Sequence, residues 1–258
     1  MYDHNNVHIL VYVAFGILAL VVGKLVAWMN VRLPEDKKIF SKDYVKENKE
    51  GIEKSYLTRI IMVLLYLALL YHFGIGDTFM QNLDLIKFMV LMPMLVSSFM
   101  IDLKHRILPN RLNLTIFEIG LLFTFIYGIN NLNMAKDMLL GMLTGAGIFG
   151  LITLLGGLIA GKEAMGLGDV KFMGAIGLYY GVSVIAQISL LAFFIGAIIS
   201  ILVLIVRNAI LKSDDEYMPF GPFLVMSAIA CIFFPANAVF IWFMLICKVI
   251  SDKILSIL

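Results

Sequence analysis

The sequence of 258 residues is short of the residues that soluble domains and metal sites need. Only 15% of its residues are charged, whereas a soluble domain carries roughly a quarter. Its two cysteines, Cys231 and Cys247, lie in apolar runs, so there is no CxxC pair for a zinc ribbon and no disulfide framework. The four histidines have no metal-ligand spacing. These shortages argue against a soluble enzyme and against the common zinc sites.

Apolar residues are abundant instead and make up 61% of the chain. Runs long enough to cross a bilayer, at about 20 residues per crossing, recur along it. They predict an all-α, polytopic transmembrane helical bundle. The predicted spans are 8–30, 57–75, 86–103, 112–130, 138–160, a short 170–183, 184–206 and 219–234. Residues 236–256 form either a further span or an interfacial helix, so the predicted bundle has eight or nine spans.

The longest polar segment is the loop 32–59, which has eight Lys/Arg and six Asp/Glu. It is too short to bury a core of its own, so we expect 1–258 to be a single membrane-embedded domain. The basic residues of this loop, of 104–111 and of 207–212 fall on one side of the membrane if the first span runs inward. The positive-inside rule therefore predicts cytoplasmic loops and an N-terminus outside. The net charge of +2 gives no indication of nucleic-acid binding.

Two aspartates at predicted membrane boundaries are the strongest candidates for a functional site. Asp102 closes the third span and Asp169 opens the sixth, with two crossings between them. Two crossings return the chain to its starting side, so both aspartates lie at the cytoplasmic boundary. An isolated aspartate there would most simply cap a helix end. A pair at one depth favours a site, because ionisable residues near bilayer depth are costly and usually face a pathway or a partner.

The residues around the two aspartates suit peptide hydrolysis. Gly166 and Gly168 have no Cβ, so the backbone can turn sharply and another segment can approach Asp169 closely. Pro109 marks a turn before the fourth span. Two facing carboxylates cannot both ionise easily, so they share a proton. One can then activate a water while the other protonates the scissile carbonyl oxygen, without a metal or a covalent intermediate.

Four motifs resemble those of a known family, the type IV prepilin peptidases. GLGDVK (166–171) matches the GxGD motif of intramembrane aspartyl proteases, and MIDLKHRILPNRLNL (100–114) resembles the prepilin peptidase pattern around the first aspartate. MPFGPFL (218–224) is similar to the family's PFGPFL motif. GKLVAWMNVRLPE (23–35) is similar to its first span running into RLP. The presenilin branch fits less well, because it has a tyrosine before the first aspartate and a Pro-Ala-Leu motif.

The resemblance implies an activity, a substrate and a location. It makes Asp102 and Asp169 the catalytic pair of an aspartic endopeptidase. The implied substrates are type IV prepilins or pseudopilins, whose basic leader is cut on the cytoplasmic side after a glycine. The implied location is the bacterial cytoplasmic (inner) membrane, where the multi-pass chain contacts lipid.

The loop 32–59 departs from the family pattern. Many bacterial members carry two zinc-binding CxxC pairs in a cytoplasmic domain and also N-methylate the new N-terminus with S-adenosylmethionine. This loop has no cysteine and is much shorter than that domain, which it replaces. We therefore expect no zinc and no cofactor for proteolysis. S-adenosylmethionine is needed only if the chain also methylates, which is an open second activity.

The other candidate residues have a plainer interpretation beside the functional one. Lys104 and Lys171 each follow an aspartate by two residues; membrane anchoring explains both most simply, and tuning of the aspartates is the alternative. Together with Gly166, Gly168 and Pro109 they are candidates for substrate binding or for lining the cavity. The family match adds four further candidates: Pro219, Phe220, Gly221 and Pro222. Without it, the two prolines start a helix and kink it.

An acid inside the fourth span and a pair of glycines in the fifth have structural interpretations. Glu118, inside the fourth span, is interpreted as an interior, hydrogen-bonded acid, with substrate contact as the alternative. Gly141 and Gly145 form a GxxxG pattern that predicts close contact between helices. Two rival classes stand beside the peptidase hypothesis. One is a small channel or transporter, which would favour an inverted repeat that the sequence lacks; the other is a structural subunit of a secretion assembly.

Overall fold

The computed structural model describes residues 7–35, 56–160, 165–206 and 219–234, with the single positions 241, 244, 245 and 248. Within these residues the chain is helical and has no β-strand. The elements are α1 (Ile9–Arg32), a 3₁₀ turn (Leu33–Glu35), α2 (Tyr56–Phe73), α3 (Leu83–His105), α4 (Asn110–Asn130), α5 (Leu132–Ala160), α6 (Leu167–Val206) and α7 (Gly221–Phe233).

Six of these helices, α1 to α6, are long and apolar enough to cross a membrane, and α7 is a shorter apolar helix. The predicted all-α, multi-pass architecture is therefore confirmed. The number of spans, eight or nine, and the outward N-terminus remain predictions. Most of the loop 32–59, all of 207–212 and most of 236–256 lie outside the described residues.

Helix α6 folds back on itself at Gly181, whose φ of 75° and ψ of 178° are not helical. Gly145 of α5 lies against the backbone of Met173 and also against the side chain of Ile185. On a straight helix those two residues would be about 18 Å apart, at 1.5 Å per residue. Both halves of α6 therefore lie along α5. The reversal is close to the boundary that hydropathy predicts between the sixth and seventh spans.

Small residues allow this close packing of α5 and α6. Gly141 of α5 lies against the backbone of Gly177 and of Gly181, where a Cβ would overlap backbone atoms. The close contact predicted from the GxxxG pattern is confirmed. Asp137 lies beside the reversal and accepts a hydrogen bond from the backbone N–H of Val182 at 3.3 Å. A carboxylate at this helix start satisfies a free N–H and complements the helix dipole.

Helix α3 is the most enclosed of the bundle. In an apolar stretch of 18 residues within it, 61% is buried, compared with 17% of the corresponding stretch of α1. It packs against α1, α2 and α7. The first half of α6 packs against α4 and α5 and is buried continuously from Phe172 to Tyr179.

The interpretation of Glu118 as an interior acid is wrong, because its side chain is exposed on α4. Hydropathy locates a span but does not fix which way each side chain on it faces.

Candidate active site

Asp102 lies in the last turn of α3 and is only 5% exposed. The helix ends at Arg106, which has a left-handed conformation (φ 58°). The Arg106 N–H donates to the Asp102 carbonyl oxygen at 2.8 Å. The Asp102 carboxylate lies against the backbone of Gly221, at the start of α7. A Cβ on Gly221 would overlap this carboxylate. The first turn of α7 therefore closes over Asp102 at a distance that only glycine permits.

Asp169 lies in the first turn of α6 and is partly buried. Its backbone N–H donates to the Gly166 carbonyl oxygen at 3.0 Å, and its carboxylate lies beside the Gly166 backbone. An acidic side chain that reaches back to the N–H preceding a helix is half of a capping box. It also lies where the helix dipole favours a negative charge. Asp169 therefore has the position of a helix-capping residue, and it also lies within electrostatic range of Asp102.

The two carboxylates lie close enough to interact electrostatically, although they come from separate helices. The turn that follows α3, the helix of Asp102, contacts the start of α6, the helix of Asp169, because Leu108 in that turn lies against Gly168. The amide of Asn113 on α4 donates to the Gly168 carbonyl oxygen at 3.1 Å. The chain thus gathers the end of α3 and the starts of α4, α6 and α7 at one place.

The two lysines occupy different settings. Lys104 is exposed in the last turn of α3. Lys171 is also exposed, and its Nζ donates to Oδ1 of Asn110 at 2.9 Å. Lys171 therefore links α6 to the start of α4, a contact that neither sequence interpretation included.

The proline and aromatic candidates flank the aspartates. Pro109 is buried and precedes α4, while Gly221 and Pro222 are buried in the first turn of α7. Pro219 and Phe220 are partly buried just before that turn. The Phe220 ring packs on Phe193, with centroids 5.3 Å apart, and on other rings of an aromatic cluster formed with Phe149 and Phe223. An apolar aromatic wall thus adjoins the segment that contacts Asp102.

Asn113 is the residue that sequence reasoning missed. It is 3% exposed, and its Oδ1 is buried without a hydrogen-bond partner among the described residues. The available signal was its spacing of three from Asn110, which puts two asparagines on one face of α4. Nothing local in the sequence indicates that this face meets Gly168.

The chemistry available here is that of two neighbouring carboxylates. One can act as a general base on a water while the other acts as a general acid. Among the described residues no group of three or more His, Cys, Asp or Glu side chains could hold a metal ion.

Comparison with known proteins supplies an independent finding. Residues 89–201, which include both aspartates, match the model of the type IV leader peptidase family. A prepilin leader peptidase/N-methyltransferase of Legionella pneumophila is 28% identical over 221 residues, which cover 84% of this chain and 71% of that protein. The leader peptidase HopD of Escherichia coli is 34% identical over 128 residues, covering 49% of this chain and 78% of that protein.

A third relative, the prepilin leader peptidase/N-methyltransferase of Xanthomonas campestris, is 31% identical over 172 residues. The match covers 66% of this chain but only 55% of that protein. No solved structure matches the chain.

Proposed function

Because this chain belongs to the type IV leader peptidase family, we propose that it removes the leader peptide from type IV prepilins or pseudopilins with Asp102 and Asp169 as its catalytic pair. The cut falls after a glycine, on the cytoplasmic side of the bacterial inner membrane. The basic leader stays in the cytoplasm and the apolar part of the substrate in the lipid.

The observation that carries the proposal is the approach of Asp102 to Asp169. Each carboxylate lies beside a glycine backbone, Asp102 beside Gly221 and Asp169 beside Gly166. Backbone at a helix start is less mobile than a long side chain, and a catalytic group must keep its position within about 0.5 Å. These contacts preorganise the pair for one reaction geometry.

The reaction follows from a pair that shares one proton. The ionised carboxylate takes a proton from a water, which attacks the carbonyl carbon of the scissile peptide. The protonated carboxyl donates to the carbonyl oxygen, and a tetrahedral diol forms. Its collapse breaks the C–N bond as a proton passes to the leaving amine, and the pair returns to its singly protonated state. Atoms balance with one water and no cofactor.

The proposal includes no zinc, because the loop 32–59 has no cysteine. The Legionella and Xanthomonas relatives are named as N-methyltransferases as well as leader peptidases. No contact among the described residues assigns a methyl-donor site in this chain.

The test replaces each aspartate by asparagine, which keeps the shape of the side chain but cannot hold or release the shared proton. We expect Asp102→Asn and Asp169→Asn each to abolish cleavage of a prepilin whose leader ends in glycine, followed as a mobility shift with purified protein. Asp→Glu at either position should also fail, because a methylene moves the carboxylate beyond the roughly 0.5 Å that a preorganised site tolerates.

The matched control is Asp77→Asn, which removes an exposed carboxylate in the turn between α2 and α3. It should cleave at the wild-type rate. An asparagine variant of Asp102 or Asp169 that keeps about a tenth of the wild-type rate, a barrier change of only about 1.4 kcal/mol, would refute the catalytic pair. The helix-cap role would then be the better explanation for that aspartate.

A further inference from the structure

Two hydrogen bonds tie the first turn of α4 to the first turn of α6, on either side of Asp169. Asn113 donates through Nδ2 to the carbonyl oxygen of Gly168, the residue before Asp169, at 3.1 Å. Lys171, two residues after Asp169, donates to Oδ1 of Asn110 at 2.9 Å. Asn110 and Asn113 are one helical turn apart and so point to one face of α4. We call these two bonds the α4 clamp.

The Asn113 bond is the buried half of the clamp. Its side chain is 3% exposed, and burying an amide costs free energy unless hydrogen bonds offset the lost hydration. Within the described part of the chain the Asn113 Oδ1 has no hydrogen-bond partner, so an apolar residue would suit this position better if packing alone mattered. An incompletely satisfied buried amide indicates that the bond it does make, to Gly168, has a role.

Helix α4 is itself held in register with Asp102. Only residues 106–109 separate α3 from α4, and Leu108 within that turn lies against Gly168. At the far end of the same two helices, the Tyr127 hydroxyl of α4 donates to Asp84 of α3 at 2.6 Å. The two helices are thus joined at both ends. A bond from α4 to α6 therefore sets the position of Asp169 relative to Asp102.

We propose that Asn113 is a positioning residue for proteolysis, which acts with the Lys171–Asn110 bond by holding Asp169 at its working distance from Asp102. This inference rests on the proposed function of the two aspartates. Asn113 touches the backbone beside Asp169 and takes no part in proton transfer. Its loss leaves the residues of the pair intact but lets α6 shift, and a displacement of about 1 Å can cost on the order of a hundredfold in rate.

The experiment compares two variants at Asn113. Asn113→Leu keeps the volume but cannot donate, and Asn113→Asp keeps the shape and regains a donor only when its carboxyl is protonated. We expect Asn113→Leu to lower kcat at least about tenfold with KM within about threefold, because transition-state positioning is lost while substrate binding is kept. The matched control is Thr124→Val, since Thr124 is also buried on α4 but donates within its own helix, to Gly120.

A pH series separates positioning from mere packing. The ratio of the kcat of Asn113→Asp to that of wild type should rise as the pH falls from about 8 to about 5.5, because buried carboxyls are protonated more readily. The same ratio for Asn113→Leu should stay flat. For the uncharged variant Asn113→Leu, taking the ratio cancels the titration of Asp102 and Asp169 that it shares with the wild type. A flat ratio for both variants would overturn the proposal.

The exposed half of the clamp gives a test that does not depend on a buried substitution. Asn110→Ala and Lys171→Met should each lower kcat about two- to fivefold, and the double variant should be no worse than either, because both remove the same bond. Additive losses would contradict a shared role.

Two outcomes separate the clamp from the catalytic pair. The clamp alone would be refuted if Asn113→Leu had a kcat within about twofold of that of Thr124→Val while Asp169→Asn was inactive. Active Asp169→Asn would refute the proposed function instead.

Discussion

Gly221 shows how a single residue can define the environment of a buried carboxylate. Its backbone lies against the Asp102 carboxylate, which is possible because it has no side chain: a Cβ would overlap the carboxylate. Its requirement is for space, since its φ is not among the positive values of the chain. The site thus depends on a close approach of α7 to α3.

We predict that Gly221→Ala removes leader cleavage almost completely. The added methyl group must push either α7 or the Asp102 side chain away, and a shift of about 1 Å at a catalytic group costs on the order of a hundredfold in rate. The matched control is Gly16→Ala on α1, where a Cβ would meet nothing within 4 Å. Cleavage rates are compared at equal amounts of folded protein. A Gly221→Ala rate above a tenth of wild type would contradict this account.

The residues of the site differ in how far the sequence predicts them. Asp102 and Asp169 follow from counting crossings, because an even number of spans returns the chain to one side. Gly221 follows only from the resemblance to a family motif. Asn113 was missed because a hydrogen bond between residues 55 positions apart has no local signature. Spans are set by local apolar composition, whereas such contacts are set by the rotation of each helix within the bundle.

At the scale of elements, the reversal of α6 at Gly181 decides how the bundle packs. The apolar pattern predicts the extent of the two segments on either side, because bilayer thickness fixes their length. The boundary predicted between the spans 170–183 and 184–206 lies close to the reversal, but hydropathy does not identify Gly181 as the turning residue, which depends on a φ of 75° that favours glycine. Asp137 on α5 adds a hydrogen bond at the start of the second segment.

Two glycines of α5 give a matched pair for testing this packing. Gly141→Ala should destabilise the protein by about 1–3 kcal/mol, the usual cost of overpacking a tight contact, because its Cβ would overlap the backbone of Gly177 and Gly181. Gly147→Ala, where a Cβ would meet nothing within 4 Å, should be neutral or stabilise by up to about 1 kcal/mol through helix propensity. Thermal unfolding in detergent gives both values. Equal effects would mean that α5 and α6 are less closely packed than described.

At the scale of the whole molecule, orientation determines which side of the membrane the candidate site serves. The loop 32–59 and the segment 104–111 carry clustered Lys and Arg, and the turn between α2 and α3 carries none. The positive-inside rule therefore predicts that the end of α3, and Asp102 with it, lies at the cytoplasmic face.

We predict that a cysteine at Asp77→Cys, but not one at Lys46→Cys, reacts with a membrane-impermeant thiol reagent in intact cells. Asp77 is exposed in the turn between α2 and α3, and Lys46 belongs to the basic loop. Both native cysteines, Cys231 and Cys247, are first replaced by alanine. Permeabilised cells provide the control in which both positions react. Labelling of Lys46→Cys in intact cells would show that the orientation is the reverse of the predicted one. Both aspartates would then lie on the side of the membrane opposite to the leader.

The contact of Gly221 with Asp102 joins segments that are made at different times. Asp102 leaves the ribosome with α3, and Asp169 follows with α6, but Gly221 is translated only afterwards, at the start of α7. A nascent chain that has inserted its first six helices therefore contains both aspartates in an unfinished pocket. The surroundings of Asp102 are therefore complete only after the start of α7 has been translated.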